Sequence, residues 1–144
     1  MKEVNKKKKI LFICTHNAAR SQMAEGIVRT LYGDHYEVSS AGTTPTEVNS
    51  YAVRVMAEIG IDISTHVSKG VEKFRDTDFD YVVTVCDQAK ETCPFFPGAK
   101  KYIHKGFDNP ADFIGTENEI LISFRHLRDE IKDWIEKSFL EEHK

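Results

Sequence analysis

Hydrophobic and polar positions follow two different periods along the chain, and together they predict four short strands separated by helices. Short apolar runs bounded by polar or charged residues are typical of buried strands and predict strands at residues 8–14 and 80–86. YEVSSAG (36–42), which enters a glycine turn, and KKYIHKG (100–106) are two further predicted strands. Apolar residues that recur every three or four positions indicate amphipathic helices. That pattern covers residues 21–33, 47–59 and 117–140, with a further short helix at 87–93.

The order of these elements predicts an α/β fold. Strands that alternate with helices form parallel sheets, and strands that are apolar on both faces are covered on both sides. We therefore expect a three-layer αβα domain with a four-stranded parallel sheet. Ligands of such sheets bind beyond the carboxyl ends of the strands. Because Cys14 and Cys86 each end a predicted strand, we expect them at the same edge of the sheet.

Composition and charge narrow the class of protein. The chain has 144 residues, 30% of them charged, and a net charge of −3, which is typical of one soluble domain and gives no general attraction to nucleic acid or acidic membranes. We divide it into a basic arm at residues 1–7 and a single domain at residues 8–144. The apolar run that ends at Cys14 is too short for a secretion signal or a membrane span, so we expect a cytoplasmic protein.

The first cysteine opens a loop whose residue types suit an anion. Cys14 is followed after five residues by Arg20 and then by Ser21, where the chain passes from a buried strand into a helix. Backbone N–H groups at a helix start bind anions, and an arginine adds a fork of donors for tetrahedral oxyanions. Asn17 tolerates the left-handed backbone that a curled loop needs. These surroundings favour the thiolate form of Cys14, with Ser21 as a donor to its sulfur; a buried core cysteine is the alternative.

Six residues separate Cys86 from Cys93, a spacing open to several interpretations. A zinc site prefers two to four residues between paired ligands and has only His104 nearby, and two unrelated core cysteines are another alternative. In a helix over 87–93 the two Cα atoms would lie ~10 Å apart, whereas a disulfide needs ~7 Å or less. We therefore hypothesise that oxidation unwinds this segment and exposes Cys93 to a reductant.

Several segments of the chain together resemble a known family. They are LFICTHNAARSQMAEG (11–26), SAGT (40–43), GIDISTHVSK (60–69), VVTVCDQAKETCP (82–94) and FDNPA (107–111). These segments resemble the low-molecular-weight protein tyrosine phosphatase fold, and more specifically the thioredoxin-coupled arsenate reductases built on that fold. The resemblance extends over roughly residues 8–137.

The resemblance implies a relay of three cysteines that needs no cofactor. Cys14 would attack arsenate and form a thiol–arsenic adduct, and Cys86 would then attack the sulfur of Cys14 and expel arsenite. Cys93 would attack Cys86 and move the disulfide outward, where thioredoxin would reduce it. The oxyanion would be bound by the loop residues Thr15, His16, Asn17, Ala18, Ala19, Arg20 and Ser21. We expect a monomer whose partners are arsenate and thioredoxin.

The sequence departs from the family pattern at the acid that protonates the leaving oxygen. Family members usually carry that acid directly before the proline of the FDNPA segment, where this chain has Asn109. An asparagine cannot act as a general acid, so Asp108 is the candidate, provided that the loop tilts. The alternatives are protonation by solvent and a plain turn role for Asp108 before Pro110.

A second departure concerns a cation site. Some family members bind potassium through residues that match Asn17, Glu25 and Ser40, together with an acid further along the chain. Lys69 stands at that last position. Because its ammonium can replace the ion, we predict no metal dependence; ordinary structural roles for Glu25 and Ser40 are the alternative.

The leading interpretation is a cytoplasmic arsenate reductase with three redox-active cysteines. A phosphatase of the same fold is the first alternative, although Tyr51 is the only aromatic residue that we can assign to a wall for a phenyl ring. The second is a non-catalytic thiol protein that binds an oxyanion and signals through its redox state. A plain phosphatase needs only Cys14, so the two further cysteines favour the reductase.

Overall fold

A computed structural model describes residues 7–87 and 96–142 of the chain, with side chains as far as residue 138. Four parallel strands form one sheet in the order β2-β1-β3-β4. The strands are β1 (Lys8–Cys14), β2 (Tyr36–Gly42), β3 (Phe79–Thr84) and β4 (Ala99–His104). The predicted α/β fold with a four-stranded parallel sheet is confirmed.

The helices are α1 (Arg20–Tyr32), α2 (Ser50–Ala57) and α3 (Glu117–Glu142), and short 3-10 helices cover Val71–Phe74 and Pro110–Asp112. Helix α2 begins three residues later than predicted because Asn49 caps it. The Asn49 side chain accepts hydrogen bonds from the N–H groups of Tyr51 and Ala52 at 2.8 and 3.2 Å, as N-cap residues do. Residues 88–93 of the helix predicted at 87–93 lie outside the described residues.

The two faces of the sheet carry different layers. Successive strand side chains point to opposite faces, so Ile10 and Phe12 of β1 pack with the three helices, while Leu11 and Ile13 face the other side. All four side chains are fully buried. In the described part of the chain, the second face is covered by the 3-10 helix Val71–Phe74 and its neighbours. The apolar run of β1 therefore holds two cores together, which fixes the position of the loop that follows it.

Helix α3 is amphipathic, as the sequence predicts. Its buried residues are Leu121, Phe124, Leu127, Arg128, Ile131 and Ile135. The described residues contain no helix that has both the length and the apolar character needed to cross a membrane.

Helix α2 is joined to α3 by a carboxylate that follows the α2 C-terminus. Glu58 accepts hydrogen bonds from Arg125 at 2.9 to 3.1 Å and from Arg128 at 2.9 Å. These two arginines, Arg125 above all, lower the pKa of Glu58 to about 2. The contact with Arg125 is an exposed ion pair, which contributes little to stability, whereas Arg128 is buried and also donates to the Val55 carbonyl oxygen of α2 at 2.9 Å.

Candidate active site

Cys14 and Cys86 lie at the same edge of the sheet, as the topology predicts. Ile13 of β1 is in register with Thr84 of β3, and the Val85 N–H donates to the Ile13 carbonyl oxygen at 2.9 Å. Cys14 is 2% exposed and Cys86 is fully buried. Cys14 is a free thiol, whereas Cys86 is disulfide-bonded.

The third cysteine, Cys93, lies outside the described residues. The hypothesis that its segment unwinds on oxidation therefore stays a prediction. In the described part of the chain, no group of three or more His, Cys, Asp or Glu side chains is arranged to hold a metal ion.

The loop between β1 and α1 turns its carbonyl groups outward. The carbonyl oxygens of residues 15–19 each accept a hydrogen bond from outside the loop, at 2.8 to 3.2 Å. The donors are Thr44 N, Ser68 Oγ, Gln22 Nε2, Asn49 N and Met23 N. In a planar trans peptide the N–H points away from the C=O, so the N–H groups of residues 16–20 point to the inside. The loop is therefore a ring of donors suited to an anion.

Asn17 holds this loop in its curled form. Its φ of 51° is left-handed, which confirms the prediction made from its residue type. Its buried side chain accepts hydrogen bonds from the Lys69 N–H at 2.8 Å and from Gln22 Nε2 at 2.9 Å. It also donates to Ser21 Oγ at 2.8 Å. These three bonds compensate the cost of the left-handed backbone.

Ser21 contacts the sulfur of Cys14. The two side-chain atoms, Ser21 Oγ and Cys14 Sγ, lie 2.9 Å apart. Because Ser21 Oγ accepts the amide hydrogen of Asn17, its own hydroxyl hydrogen is available to the sulfur. A donor in this position stabilises a sulfur anion.

Gly42, the last residue of β2, allows the loop to approach the neighbouring strand. A Cβ at this position would lie 2.7 Å from the Thr15 carbonyl oxygen, 2.8 Å from the Asn17 nitrogen and 2.9 Å from the His16 carbonyl carbon. All three are backbone atoms, so no side-chain rotation relieves the contact. A side chain at residue 42 would therefore push the loop away from the sheet.

We expect Gly42→Ala to weaken oxyanion binding about 10-fold or more, because overpacking of this kind costs on the order of 1–3 kcal/mol and falls directly on the loop. Calorimetric titration with inorganic phosphate measures the affinity, and thermal unfolding measures the stability. Ser39→Ala, a smaller change in the same strand, serves as the control. An unchanged phosphate affinity in Gly42→Ala would show that the loop tolerates the methyl group.

A cavity of about 170 Å³ contains the sulfur of Cys14 in its wall. The loop contributes Cys14, His16, Ala18, Ala19 and Arg20 to this cavity, and facing segments contribute Thr46, Asn49, Asn109, Pro110 and Ala111. None of these residues is a phenylalanine, tyrosine or tryptophan. Tyr51, the residue considered for an aromatic wall, instead stacks on Phe124 with 5.5 Å between ring centroids. The cavity is therefore suited to a small anion rather than to a phenyl ring.

Arg20 begins α1 and lines the same cavity. Its side chain is buried, and Nη1 donates to the Phe107 carbonyl oxygen at 3.4 Å. This contact joins the loop to the FDNPA segment. The structure thus brings Cys14, Arg20 and the inward N–H groups together around one space.

Asn109, and not Asp108, lines the cavity at Cys14. The Asn109 side chain accepts a hydrogen bond from the Ala111 N–H at 3.0 Å and caps the 3-10 helix Pro110–Asp112. Asp108 is exposed and lines two other cavities, both shared with Glu130 of α3. The structure does not bring Asp108 together with Cys14, and its role as an acid stays a prediction.

Lys69 lies beside the carboxylate of Glu25. Its Nζ is 3.9 Å from Glu25 Oε1, and the same carboxylate accepts a hydrogen bond from Ser40 and pairs with Arg29 at 2.6 Å. Burial lowers the pKa of Lys69, and the charge of Glu25 opposes that shift. The Lys69 backbone N–H also donates to Asn17. The Lys69 ammonium therefore places a positive charge beside Glu25, while the backbone of the same residue holds Asn17 of the loop.

We expect the melting temperature of the protein to be the same in potassium and choline chloride at equal ionic strength. Lys69→Asp removes the ammonium and adds a second carboxylate beside Glu25, so potassium should now raise the melting temperature. Lys73→Asp, on the exposed side of the neighbouring 3-10 helix, is the control for charge alone. A potassium effect on the unmodified protein would contradict the prediction.

Comparisons with known proteins agree with this geometry. Residues 9–142 match a protein family that is described as "low molecular weight phosphotyrosine protein phosphatase". An arsenate reductase of Halalkalibacterium halodurans is 46% identical over 94% of this chain and 96% of its own length. The chain belongs to the low-molecular-weight phosphotyrosine protein phosphatase family. This membership confirms the resemblance found in the sequence.

Solved structures that are similar to this chain include arsenate reductases. An arsenate reductase in its oxidized state superposes with a TM-score of 0.75 at 31% identity, covering 93% of this chain and 98% of the other. A thioredoxin-dependent arsenate reductase of Corynebacterium glutamicum gives a TM-score of 0.59 at 29% identity, covering 92% of this chain and 63% of the other. The likeness thus extends to the whole fold.

The sequence does not predict that Thr46 and Asn49 line this cavity. They follow β2 in a segment that faces the loop, and Asn49 donates its N–H to the Ala18 carbonyl oxygen at 2.8 Å. A signal for Asn49 exists, because an asparagine directly before an apolar-periodic stretch is a typical helix N-cap. Thr46 has no such signal, since its place depends on how the segment folds over the loop.

Proposed function

We propose that the protein is an arsenate reductase in which Cys14, Cys86 and Cys93 act in sequence. The observation that carries this proposal is the buried pair of cysteines at one sheet edge, one of them within an anion-binding loop. A phosphatase needs a single cysteine as nucleophile, and its chemistry gives no reason for a second at the adjoining strand.

In the first step the sulfur anion of Cys14 attacks arsenic. The inward N–H groups of the loop and the guanidinium of Arg20 hold the oxyanion and stabilise the charge that develops on its oxygens. A sulfur–arsenic bond forms and one arsenic–oxygen bond breaks, so that water leaves once its oxygen is protonated. Arsenic keeps its oxidation state in this step.

In the second step the sulfur of Cys86 attacks the sulfur of Cys14. The sulfur–sulfur bond forms as the sulfur–arsenic bond breaks, and the electron pair of that bond goes to arsenic, which leaves as arsenite. Cys93 then attacks Cys86, which frees Cys14 and moves the disulfide. A free Cys14 beside a disulfide-bonded Cys86 supports this sequence of exchanges.

The reductant in this proposal is thioredoxin, and the protein works as a monomer in the cytoplasm, where thiols are kept reduced. The burial of Cys14 and Cys86 supports the need for a third cysteine. A disulfide between Cys14, which is 2% exposed, and the fully buried Cys86 would be out of reach of another protein. The relative from Corynebacterium glutamicum, named a thioredoxin-dependent arsenate reductase, supports the choice of thioredoxin.

The test is NADPH consumption by the reduced protein with thioredoxin and thioredoxin reductase, with and without arsenate. We expect oxidation of NADPH that depends on arsenate and on all three proteins, with one arsenite formed per NADPH. No consumption above the arsenate-free rate would overturn the proposal. Replacing thioredoxin by glutathione and glutaredoxin tests the choice of reductant separately.

A phosphatase is the second candidate, because the family that matches this chain is described by that activity. One feature of the cavity counts against it as the main activity. Among the described residues, no phenylalanine, tyrosine or tryptophan lines the cavity to hold a phenyl ring. We therefore expect at most weak hydrolysis of aryl phosphates.

A further inference from the structure

We propose that His16 is the general acid that protonates the oxygen leaving arsenate when Cys14 attacks. This inference rests on the proposed reductase function and assigns one proton of its first step. The step needs this proton because hydroxide is a poor leaving group and departs readily only as water.

The side chains that line the cavity leave few sources for this proton. The segments that face the loop contribute threonine, asparagine, proline and alanine side chains, and none of the described lining residues carries a carboxylate. The titratable or charged residues in its wall are Cys14, His16 and Arg20. Cys14 is the nucleophile and an arginine does not give up its proton in proteins. His16 is therefore the lining residue with a proton to transfer.

Hydrogen bonds on both sides hold His16 in place. Its Nδ1 lies 3.0 Å from the Thr44 carbonyl oxygen, and because a carbonyl can only accept, Nδ1 carries a hydrogen and donates. Its own carbonyl oxygen accepts from Ser68 Oγ at 2.8 Å. With Nδ1 committed to Thr44, the proton that His16 gains and loses is the one on Nε2. This is the arrangement of an oriented acid–base histidine.

Arg20 is the charged side chain that lines the cavity together with Cys14 and His16, whereas Thr46 and Asn109 in the same wall are uncharged. In the proposed step an arsenate ion in this cavity is held by the guanidinium of Arg20, and the proton for its leaving oxygen comes from Nε2 of His16.

The proton balance of the step is complete with His16. As the sulfur–arsenic bond forms, Nε2–H gives its proton to the leaving hydroxyl oxygen, the arsenic–oxygen bond breaks and water departs. His16 becomes a neutral imidazole. Its half-buried side chain takes up a proton from solvent before the next turnover, and no further reactant is needed.

The test compares the pH dependence of kcat/KM for arsenate in the unmodified protein, His16→Gln and His16→Asn. Asparagine keeps a side-chain N–H donor for the Thr44 carbonyl, and glutamine keeps one that extends further, but neither can give up a proton. We expect both variants to lose about 10²-fold in kcat/KM and to lose the fall in rate on the alkaline side. Affinity for inorganic phosphate, which does not react, should change by only a few-fold.

Asn109→Asp gives a second and independent readout. It adds a carboxyl group to a residue that lines the same cavity, so the double variant His16→Asn with Asn109→Asp should recover at least 10-fold of the lost kcat/KM. The recovered rate should fall as pH rises, at lower pH than in the unmodified protein, because a carboxylic acid loses its proton earlier than an imidazolium. A residue with only a structural role would not be rescued in this way.

The outcomes separate this inference from the function on which it rests. Without arsenate turnover in the unmodified protein, the proposed function and the inference fail together. With normal turnover, His16 variants that keep kcat/KM and the alkaline fall in rate overturn the inference alone. Loss of that fall in Asp108→Asn instead of the His16 variants would also overturn it and assign the proton to Asp108.

Discussion

Cys93→Ser is expected to release one arsenite per protein molecule and then stop, whereas the unmodified protein turns over as long as reductant lasts. The first two steps use Cys14 and Cys86 alone, so they proceed in the variant. The product is a disulfide between two sulfurs that are buried at one sheet edge, and thioredoxin cannot reach it. Quantifying arsenite against protein, with thioredoxin and its reductase present, measures the effect as a loss of at least about 10²-fold in steady-state rate.

Cys86→Ser is the matched control for this experiment. Serine has nearly the volume of cysteine and no sulfur, so the variant should bind phosphate normally but release no arsenite in any turnover. Mass mapping of spent Cys93→Ser should find Cys14 joined to Cys86. Sustained turnover by Cys93→Ser would remove the third cysteine from the mechanism and favour direct reduction of the buried pair.

The bounds of strands β1 and β2 could be predicted from the sequence pattern alone. Both are observed with the predicted bounds, 8–14 and 36–42. Strand β1 contains an apolar run that is buried on both faces, and β2 ends at Gly42, the glycine of the predicted turn. Strand β3 ends at Thr84 and not at residue 86. Val85 is β-branched like its predecessors, but strand length depends on where the partner strand ends, which local residue preference does not report.

The candidate site likewise contains residues whose position the sequence predicts and residues whose position it does not. Cys14, Asn17, Arg20 and Ser21 lie in one short stretch from the end of β1 to the start of α1, so their juxtaposition follows from local spacing. Local spacing does not predict that Asn109, and not Asp108, lines the cavity. That depends on which of the two neighbouring side chains turns inward, and Asn109 does so while it caps Pro110–Asp112. The FDNPA segment also contacts the loop through Arg20 and the Phe107 carbonyl oxygen, which are 87 residues apart in sequence, and periodicity carries no information about such contacts.

Arg20→Lys is expected to lower kcat/KM for arsenate by about 10²-fold or more. Lysine keeps the positive charge but presents it as a point, without the planar fork that binds two oxygens of a tetrahedral anion. It also loses the bond from Nη1 to Phe107. Loss of one preorganised donor to a developing oxyanion typically costs 10²–10³ in rate. Initial rates of arsenate-dependent NADPH oxidation, over a range of arsenate concentrations, separate kcat from KM.

The comparison with Arg54→Lys decides whether geometry or charge is responsible. Arg54 is half exposed on α2 and pairs with Glu117 at 3.3 Å, so a lysine there should leave kcat/KM within about two-fold, because such surface pairs contribute little. If Arg20→Lys retained full activity, a positive charge at residue 20 together with the loop N–H groups would suffice, and the planar fork of the guanidinium would not be needed.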